Sequence, residues 1–379
     1  MSVNSKYFEE CIEKITYGSK IQRTEYLKHG KYPIVSQESN LINGYWDVDE
    51  DVYEVEKPVI IFGDHTRILK YIDFSFVLGA DGTKIIKPKS FLDSKFFYYF
   101  LQANPVESKG YSRHYRFLKE LKLNIPPLQL QKEIVVKIDR IFAEIDKAIL
   151  AIQANTKNID ALFQNYLTQV YEVSTDGWEK KKISEIAKIK GGKRVPKGYE
   201  LKREKTPYPY LRVTNFSENG NIDTEDLRYA DEEVRNQIKN YIITDKDLYI
   251  SIAGTIGRTG IVSKELCGSL LTENACRLVF DEEISNKFIY YFTKSSNFIN
   301  QTIEQTRTAA QPKLALSRLG EISLSVPSLL EQLKVVEKLD SLSSYILACK
   351  KGYAEKIYEL SKLRQSILQK AFSGELIKE

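Results

Sequence analysis

An internal repeat constrains the fold of this chain more than any other feature of its sequence. Residues 126–139 match residues 327–340 in register, 201 positions later. The agreement continues towards the end of each copy without an insertion, over roughly forty residues, as expected where an insertion would rotate a helix face out of contact. The matched pairs are Pro126 with Pro327, Leu128 with Leu329, Gln131 with Gln332, Val135 with Val336, Asp139 with Asp340, Leu162 with Leu363, Gln164 with Gln365 and Leu167 with Leu368.

Each copy carries the heptad spacing of a helix that packs along one narrow stripe. The main row consists of Ile138, Ile145, Ile152 and Ile159 in the first copy, and of Leu339, Ile346, Tyr353 and Leu360 in the second. A second row is predicted from Ile134 to Leu162 and from Val335 to Leu363, with Asn155 and Lys356 as polar seam positions. These eight main-row residues are the predicted helix-pair interface.

The simplest partner for each helix is the other copy. A globular segment precedes each helix, and the connection near residues 172–178 is short. Antiparallel pairing is therefore predicted, with a pseudo-twofold axis and one globule at each end of a rod of about 60 Å. A plain four-helix core is the alternative that the stripes leave open.

The segments before the helices have the mixed pattern of α/β (α+β) domains. Strand signals include 59–62, 84–86, 247–252 and 277–280, separated by Gly, Asp and Thr turns. Residues 95–100 resemble residues 287–292, and their aromatic side chains are predicted to be core rather than a stacking surface. The predicted divisions are 1–125 and 172–325 for the globular domains, and 126–171 and 326–379 for the helical regions.

The composition excludes several kinds of site. The formal charge of +5 permits nucleic-acid binding without requiring it. Four cysteines without CxxC spacing predict reduced, buried thiols, and three histidines make a zinc site improbable. Neither a GxxxxGK[ST] phosphate loop nor an Asn-Pro-Pro-aromatic motif is present. We find no signal peptide and no membrane span, so a cytoplasmic protein without membrane contact is expected.

Three segments carry a family resemblance. They are the repeated Pro-x-Leu-x-x-Gln-x-x-x-Val motif, residues 310–314 leading to Leu319, and the C-terminal stretch 363–376. Together they resemble the specificity subunits of type I restriction-modification enzymes, and the resemblance covers nearly the whole chain. Pro127 departs from the repeat, because Ser328 stands at the matching position.

The resemblance implies a non-catalytic subunit with two target-recognition domains, each reading half of a split double-stranded DNA site. It also implies that two modification (methyltransferase) subunits and two restriction subunits join this chain. S-adenosylmethionine, ATP and magnesium are implied for those partner subunits only. No cofactor and no metal are expected in this chain.

Basic and polar side chains in loops are the candidate DNA contacts. A flexible basic loop is predicted at Lys190–Arg194, and arginine or glutamine near each conserved helix could read guanine or adenine. The candidates are Lys109, Tyr111, Arg113, His114, Arg116, His65, Arg67, Lys190, Lys193, Arg194, Arg258, Arg307, Thr308 and Gln311. Two alternatives to a specificity subunit of this kind stay open: a coiled-coil scaffold that does not read DNA, and a specificity subunit of a related system.

Overall fold

A computed structural model describes residues 4–16, 18–80, 82–110, 112–172, 177–306 and 313–373. The chain forms two compact units. Unit 1 consists of Met1–Gln153 and Tyr353–Glu379, and unit 2 consists of Ala154–Gly352. Each unit therefore contains one globular region and a part of each long helix.

The first globular region contains nine short strands and three α-helices among the described residues. They are β1 (Asn4–Tyr7), α1 (Phe8–Cys11), β2 (Tyr32–Val35), β3 (Gly44–Trp46), β4 (Val52–Tyr53), β5 (Val59–Gly63), β6 (Leu69–Ile72), β7 (Phe76–Leu78), β8 (Thr83–Ile86), α2 (Ser94–Ala103), α3 (Tyr115–Leu118) and β9 (Lys122–Ile125). The first long helix, α4 (Leu128–Glu172), follows.

The second globular region repeats this order with a few additions. Its elements are β10 (Glu179–Lys182), α5 (Ile183–Ile186), β11 (Ala187–Gly191), β12 (Pro209–Leu211), β13 (Arg228–Tyr229), α6 (Glu232–Gln237), β14 (Ile242–Ile243), β15 (Leu248–Ser251), β16 (Thr259–Gly260), β17 (Ser269–Leu271), β18 (Ala275–Phe280), α7 (Asn286–Phe292), α8 (Ser296–Thr306), α9 (Leu316–Gly320) and β19 (Ser323–Val326). The second long helix is α10 (Leu329–Ser373).

The two globular regions share one sheet topology. In unit 1 the strand order is β3-β2-β7-β4, and in unit 2 it is β13-β12-β17-β14. The central pair, β2-β7 in unit 1 and β12-β17 in unit 2, is parallel, and the outer pairs of each sheet are antiparallel. A second sheet is β6-β5-β8 in unit 1 and β11-β18-β15-β16 in unit 2, while β1-β9 and β10-β19 form matching two-stranded ladders. The predicted mixed fold is confirmed, and all four predicted strands are present.

The repeated aromatic segments are core helices, as predicted. Phe96, Phe97 and Phe100 of α2 are buried, and so are Phe288 and Phe292 of α7. Burial of such side chains is the main stabilising contribution, at about 1.5–3 kcal/mol each. The cysteine prediction is wrong for Cys267, which is exposed, although Cys11 and Cys276 are buried.

The long helices pair antiparallel in each unit. In unit 1, Asp146 of α4 forms an ion pair with Arg364 of α10, and Ile138 shares a core with Ala371. In unit 2, Asp160 pairs with Lys350, and Leu167 shares a core with Leu339. In both units, residues later in α4 contact residues earlier in α10. The predicted direction of pairing is therefore confirmed.

The main heptad row is buried or half-buried along both helices. Ile138, Ile145 and Leu339 are buried, whereas Ile152, Ile159, Ile346, Tyr353 and Leu360 are half-buried. The predicted second row is confirmed over its first part, where Ile134 is buried and Ile141, Ala148, Val335, Leu342 and Cys349 are half-buried. It is wrong over its later part, because Leu162 and Leu363 are 65% and 47% exposed and Asn155 and Lys356 are exposed as well. Buried or half-buried side chains instead follow on the other side of the main row, at Phe142, Ile149, Thr156, Phe163 and Val170 of α4 and at Arg364 and Ala371 of α10.

The repeated residues at the start of each helix hold the globular region. The side chain of Gln131 donates to the carbonyls of Phe91 and Pro126 and accepts from the backbone N–H of Asp93 at 2.8 Å. Gln332 makes the same three bonds, to Glu283, Pro327 and Ser285.

An aspartate eight residues later does the same. Asp139 accepts from Lys95 and Tyr99, and Asp340 accepts from Lys287 and Tyr291. These contacts explain why the helix sequence repeats, because each long helix packs against an equivalent short helix: α4 against α2, and α10 against α7.

Candidate nucleic-acid interface

Three loops of unit 1 converge at one end of its sheets. We define the unit 1 loop cluster as residues 36–43, 63–68 and 112–116. The hydroxyl of Thr66 donates to the Gln37 carbonyl at 2.7 Å, and the His65 N–H donates to the Gln37 side chain at 3.2 Å. The Asp64 carboxylate accepts from the Tyr115 N–H at 2.7 Å. Each loop is thus fixed by hydrogen bonds to a neighbouring loop. Because the loops are far apart in the sequence, their proximity could not be predicted from it.

His114 organises this cluster from inside. It is 1% exposed, and its Nδ1 lies 3.0 Å from the Asp64 carbonyl. Its Nε2 accepts from the Lys109 N–H at 3.1 Å. A side chain held in this way positions the surrounding loops, and the DNA contact of His114 stays a prediction. The cations around it are differently placed, because Lys109, Arg113 and Arg116 are all exposed.

Arg67 has an unusual backbone conformation. Its φ is 62°, in the left-handed region, and it is the one non-glycine residue with a positive φ in the described part of the chain. The hairpin of unit 2 has the same hydrogen bonds: Arg67 N–H to Gly63 carbonyl matches Gly257 N–H to Ser251 carbonyl. At the matching position unit 2 therefore uses glycine, with φ of 86°. A side chain there costs about 1 kcal/mol, and such outliers concentrate at functional sites.

Unit 2 has a matching cluster. We define the unit 2 loop cluster as residues 192–194, 216–221, 252–258 and 272–274. Lys193 donates its N–H to the Leu271 carbonyl at 2.8 Å, and Gly192 donates to Ala275 at 2.9 Å. A Cβ on Gly192 would lie 2.0 Å from the Thr272 carbonyl oxygen, so only glycine fits this close approach.

The predicted flexible loop at residues 190–194 is therefore wrong in part. Lys190 and Gly191 end strand β11, where they pair with Arg277 and Cys276 of β18. Lys190, Lys193 and Arg194 are nevertheless exposed. The basic loop is a strand end held against residues 271–275, which fixes where its cations lie.

Ion pairs reduce the positive charge of this region. Arg194 pairs with Glu273 at 2.6 Å, and Arg258 lies 3.5 Å from Glu218 while donating to the Phe216 carbonyl. Burial favours a raised pKa for Glu273, but the hydrogen bonds and charge of Arg194 together with hydrogen bonds from the Glu273 backbone and Thr272 outweigh it, and the pKa is lowered. Lys181, Lys182 and Lys202 also pair with acidic residues. The dense run of lysines in the sequence is thus a smaller source of free charge than its composition indicates.

A lysine supports one loop in each cluster, and neither residue is among the predicted sites: Lys70 is buried and Lys294 is half-buried. Lys70 donates to the Asn40 carbonyl and, at 3.1 Å, to Asn43 Oδ1. Lys294 donates to the carbonyls of Glu218 and Thr259 at 3.0 and 3.3 Å. Burial lowers the pKa of both ammonium groups to about 8. The alternation of β6 was an available signal, since Lys70 and Ile72 both point inward.

Four predicted contacts, Tyr111, Arg307, Thr308 and Gln311, lie outside the described residues. Of those that are described, the structure brings His65, Arg67, His114, Arg113 and Arg116 into one cluster, and Lys193, Arg194 and Arg258 into the other. Lys109 joins the first cluster through its backbone, and Lys190 lies at the strand end beside the second.

A comparison with known protein families identifies the family of this chain. The family described as "Type I restriction modification DNA specificity domain" matches residues 10–154 and 175–359. The chain belongs to this family. The two matched segments cover most of each globular region and a large part of each long helix.

Individual relatives agree with this membership. The chain is 24% identical to the type I restriction enzyme EcoBI specificity subunit of Escherichia coli, over 88% of this chain and 75% of that protein. It is 22% identical to the EcoKI specificity subunit of Escherichia coli strain K12, over 96% and 86%. An archaeal relative, the MjaVIII specificity subunit of Methanocaldococcus jannaschii, is 20% identical over 91% and 84%.

Solved structures support the same fold. A chain from a study of "complex assembly and conformational transition of the type I R-M system" aligns with a TM-score of 0.72 and 15% identity, covering 98% of both chains. The HsdS subunit from Thermoanaerobacter tengcongensis aligns with a TM-score of 0.54 and 17% identity, over 98% and 97%. Within the described residues, none of the helices is sufficiently long and apolar to cross a membrane.

Proposed function

We propose that this chain reads a bipartite DNA site with its two globular regions and carries no catalytic centre of its own. In this proposal each loop cluster contacts one half-site, and the paired helices set the distance between the half-sites. Two modification subunits and two restriction subunits assemble on the chain. They, and not this chain, bind S-adenosylmethionine, ATP and magnesium.

One observation carries the proposal. The two globular regions share strand order and the contacts of Gln131 and Gln332 with their helices, but the loop clusters differ in length and in side chains. A common framework with different loops is suited to present two different recognition surfaces, because binding residues concentrate on loops held by a rigid scaffold. Membership in a DNA-specificity family supplies the ligand class.

The helix surfaces support partner docking. Several large apolar side chains on α4 and α10 are exposed rather than packed within a unit: Val136, Leu150, Leu162, Leu330, Leu333, Leu347 and Tyr358. Exposed apolar side chains mark a protein interaction site where they form a contiguous patch. We assign this surface to the modification subunits.

The first experiment tests DNA reading. Genome-wide methylation is mapped in cells with and without the gene, and we expect one asymmetric split motif to be lost on deletion. The assembled complex should then bind a duplex containing that motif more tightly than a scrambled duplex, with affinity falling steeply as salt rises. A response that is flat to both sequence and salt would support the scaffold alternative.

The second experiment tests the spacing role. Residues 150–156 and 354–360 lie midway between the Asp146–Arg364 and Asp160–Lys350 ion pairs on the two helices. Deleting both heptads keeps the helix faces in register and removes about 10 Å, which corresponds to about 3 base pairs. We expect the preferred spacer to shorten by that amount. Replacing the same heptads with others of equal length is the control, and an unchanged spacer in the deletion variant would contradict the spacing role.

A further inference from the structure

The loop between β2 and β3 exposes two neighbouring apolar side chains. Leu41 is 50% exposed and Ile42 is 38% exposed, in a loop of otherwise mainly polar residues with the sequence Ser-Gln-Glu-Ser-Asn-Leu-Ile-Asn. Exposing two aliphatic side chains to water loses the stabilisation that their burial would give. Sequence analysis and the family relationship assign no role to them.

The loop is held so that these side chains point outward. Lys70, which is 5% exposed, approaches from β6 beneath the loop. Its ammonium group donates to the Asn40 carbonyl and to Asn43 Oδ1, the residues on either side of Leu41 and Ile42. The Asn43 side chain also accepts from the Ser36 N–H at 3.0 Å, which closes the base of the loop. A buried cation thus fixes the residues on both sides of the exposed apolar pair.

The apolar pair belongs to the unit 1 loop cluster. Gln37, in the same loop, bonds to Thr66 and His65 of the hairpin that carries Arg67. The loop of unit 2 at residues 216–221 shows that an apolar tip is not required for such support. There Lys294 donates to the Glu218 carbonyl in a similar way, but the neighbouring tip residues are Glu218 and Asn219.

From this arrangement we propose that Leu41 and Ile42 contact the C5 methyl groups of thymine in the half-site read by unit 1. This inference rests on the proposed function, since it takes DNA as the ligand of the loop cluster. The duplex offers few apolar partners: phosphates and most base edges are polar, and the thymine methyl is the apolar group of the major groove. Two exposed aliphatic side chains, on a loop that is hydrogen-bonded to the hairpin of Arg67, suit a site that presents both a thymine methyl and polar base edges.

The experiment combines protein and DNA substitutions in the full chain, assembled with its modification subunits. Each thymine of the unit 1 half-site is replaced in turn by deoxyuracil, which removes only the methyl. For the wild-type chain we expect about fourfold weaker binding at one or two positions, the effect of about one buried methyl group. The variant Leu41→Ser with Ile42→Ser should bind thymine and uracil duplexes equally and should keep its discrimination in the other half-site.

Val48→Ser is the matched control. Val48 is 43% exposed and precedes the acidic residues Asp49, Glu50 and Asp51, which would repel phosphate. It should preserve the response to uracil. Size-exclusion measurements should show the same assembly with modification subunits for all three proteins, and a loss of assembly in the Leu41 and Ile42 variant would reassign the pair to a protein contact and overturn the proposal.

The results separate the two levels of inference. If the wild-type complex does not prefer its motif over a scrambled duplex, the proposed function fails. If that preference is present but no uracil position weakens binding, or the double variant responds to uracil as wild type does, only the thymine-methyl proposal fails.

Discussion

Unit 1 places Arg67 at the hairpin position where unit 2 places Gly257, and both residues have positive φ. The strands around these hairpins pair in the same order, and the glutamine and aspartate of each long helix make the same contacts. The two regions thus agree wherever the repeated helix is the partner and differ at the loop clusters. The comparison separates residues selected for the framework from residues that are free to vary with the ligand.

The largest effect should come from the framework. Gln131→Ala and Gln332→Ala each remove three buried hydrogen bonds and leave backbone groups unsatisfied, so each should lower the free energy of unfolding by about 3 kcal/mol. Chemical denaturation measures the loss. Gln129→Ala, at an exposed position on α4, is the control and should change stability by less than about 0.5 kcal/mol. Strongly unequal losses for Gln131 and Gln332 would contradict the equivalence of the two anchors.

The two supporting lysines, Lys70 and Lys294, make stability depend on pH. Burial lowers the pKa of Lys70 to about 8, whereas an unfolded lysine titrates near 10.5. Between these values the unfolded chain holds a proton that the folded chain has released, so the contribution of Lys70 to stability rises with pH. Relative to Lys70→Met, wild type should gain about 2 kcal/mol of unfolding free energy between pH 7 and pH 10.

The same comparison made with Lys294→Met tests unit 2, because the pKa of Lys294 is also lowered to about 8. Using the variant as the reference cancels the titration of other groups. A difference that stays flat or falls as pH rises would show that burial does not lower the pKa of these ammonium groups.

Arg67 should matter more for recognition than for folding. Arg67→Gly removes the side chain from a left-handed position and should raise the unfolding free energy by about 1 kcal/mol. It should also weaken binding to one base pair of the unit 1 half-site by about tenfold, if the guanidinium reads a base edge. Competition binding with single base-pair substitutions measures this effect.

A uniform loss of affinity for all sequences would instead indicate a phosphate contact. The reverse variant, Gly257→Arg, provides the matched comparison in unit 2. It should lower stability by about 1 kcal/mol and leave discrimination in the unit 1 half-site unchanged.

The smallest effect concerns the helix pair. In unit 1 the Arg364 guanidinium lies 4.4 Å from the centre of the Phe142 ring and pairs with Asp146 at 3.0 Å, whereas unit 2 uses Lys350 with Asp160. Arg364→Lys should lower the unfolding free energy by about 0.5–1 kcal/mol, because lysine lacks the planar group that stacks on the ring. Lys350→Arg should have no measurable effect, and a larger loss there than in Arg364→Lys would contradict this reading.

Much of the framework could be predicted from the sequence. The repeat, the main heptad row and the aromatic helices follow from periodicity, which responds to burial along one face of a regular element. The second heptad row is wrong only over its later part, and in unit 1 the seam there includes Arg364, whose long side chain covers Phe142 while its charged end meets Asp146. An apolar count cannot recognise a cation in that role.

The candidate interface was less predictable. Exposed arginines near the helices could be identified by residue type, but the convergence of Gln37, Asp64 and His114 depends on contacts between loops that are far apart in sequence. The burial of His114 could not be predicted for the same reason, since it arises only in the folded chain. The alternation that turns Lys70 inward was visible in the sequence, but the loop that it supports was not.

Unit 1 is assembled from two segments with all of unit 2 between them. Phe372 packs against Phe96 and Phe100, so the core of the region made early on the ribosome is closed by a helix segment made last among its parts. Translation at roughly 5–20 residues per second puts roughly 10–40 s between residues 153 and 353. During that interval the nascent chain exposes the apolar surface that Phe372 later covers. We expect chaperones to protect the nascent chain during this period.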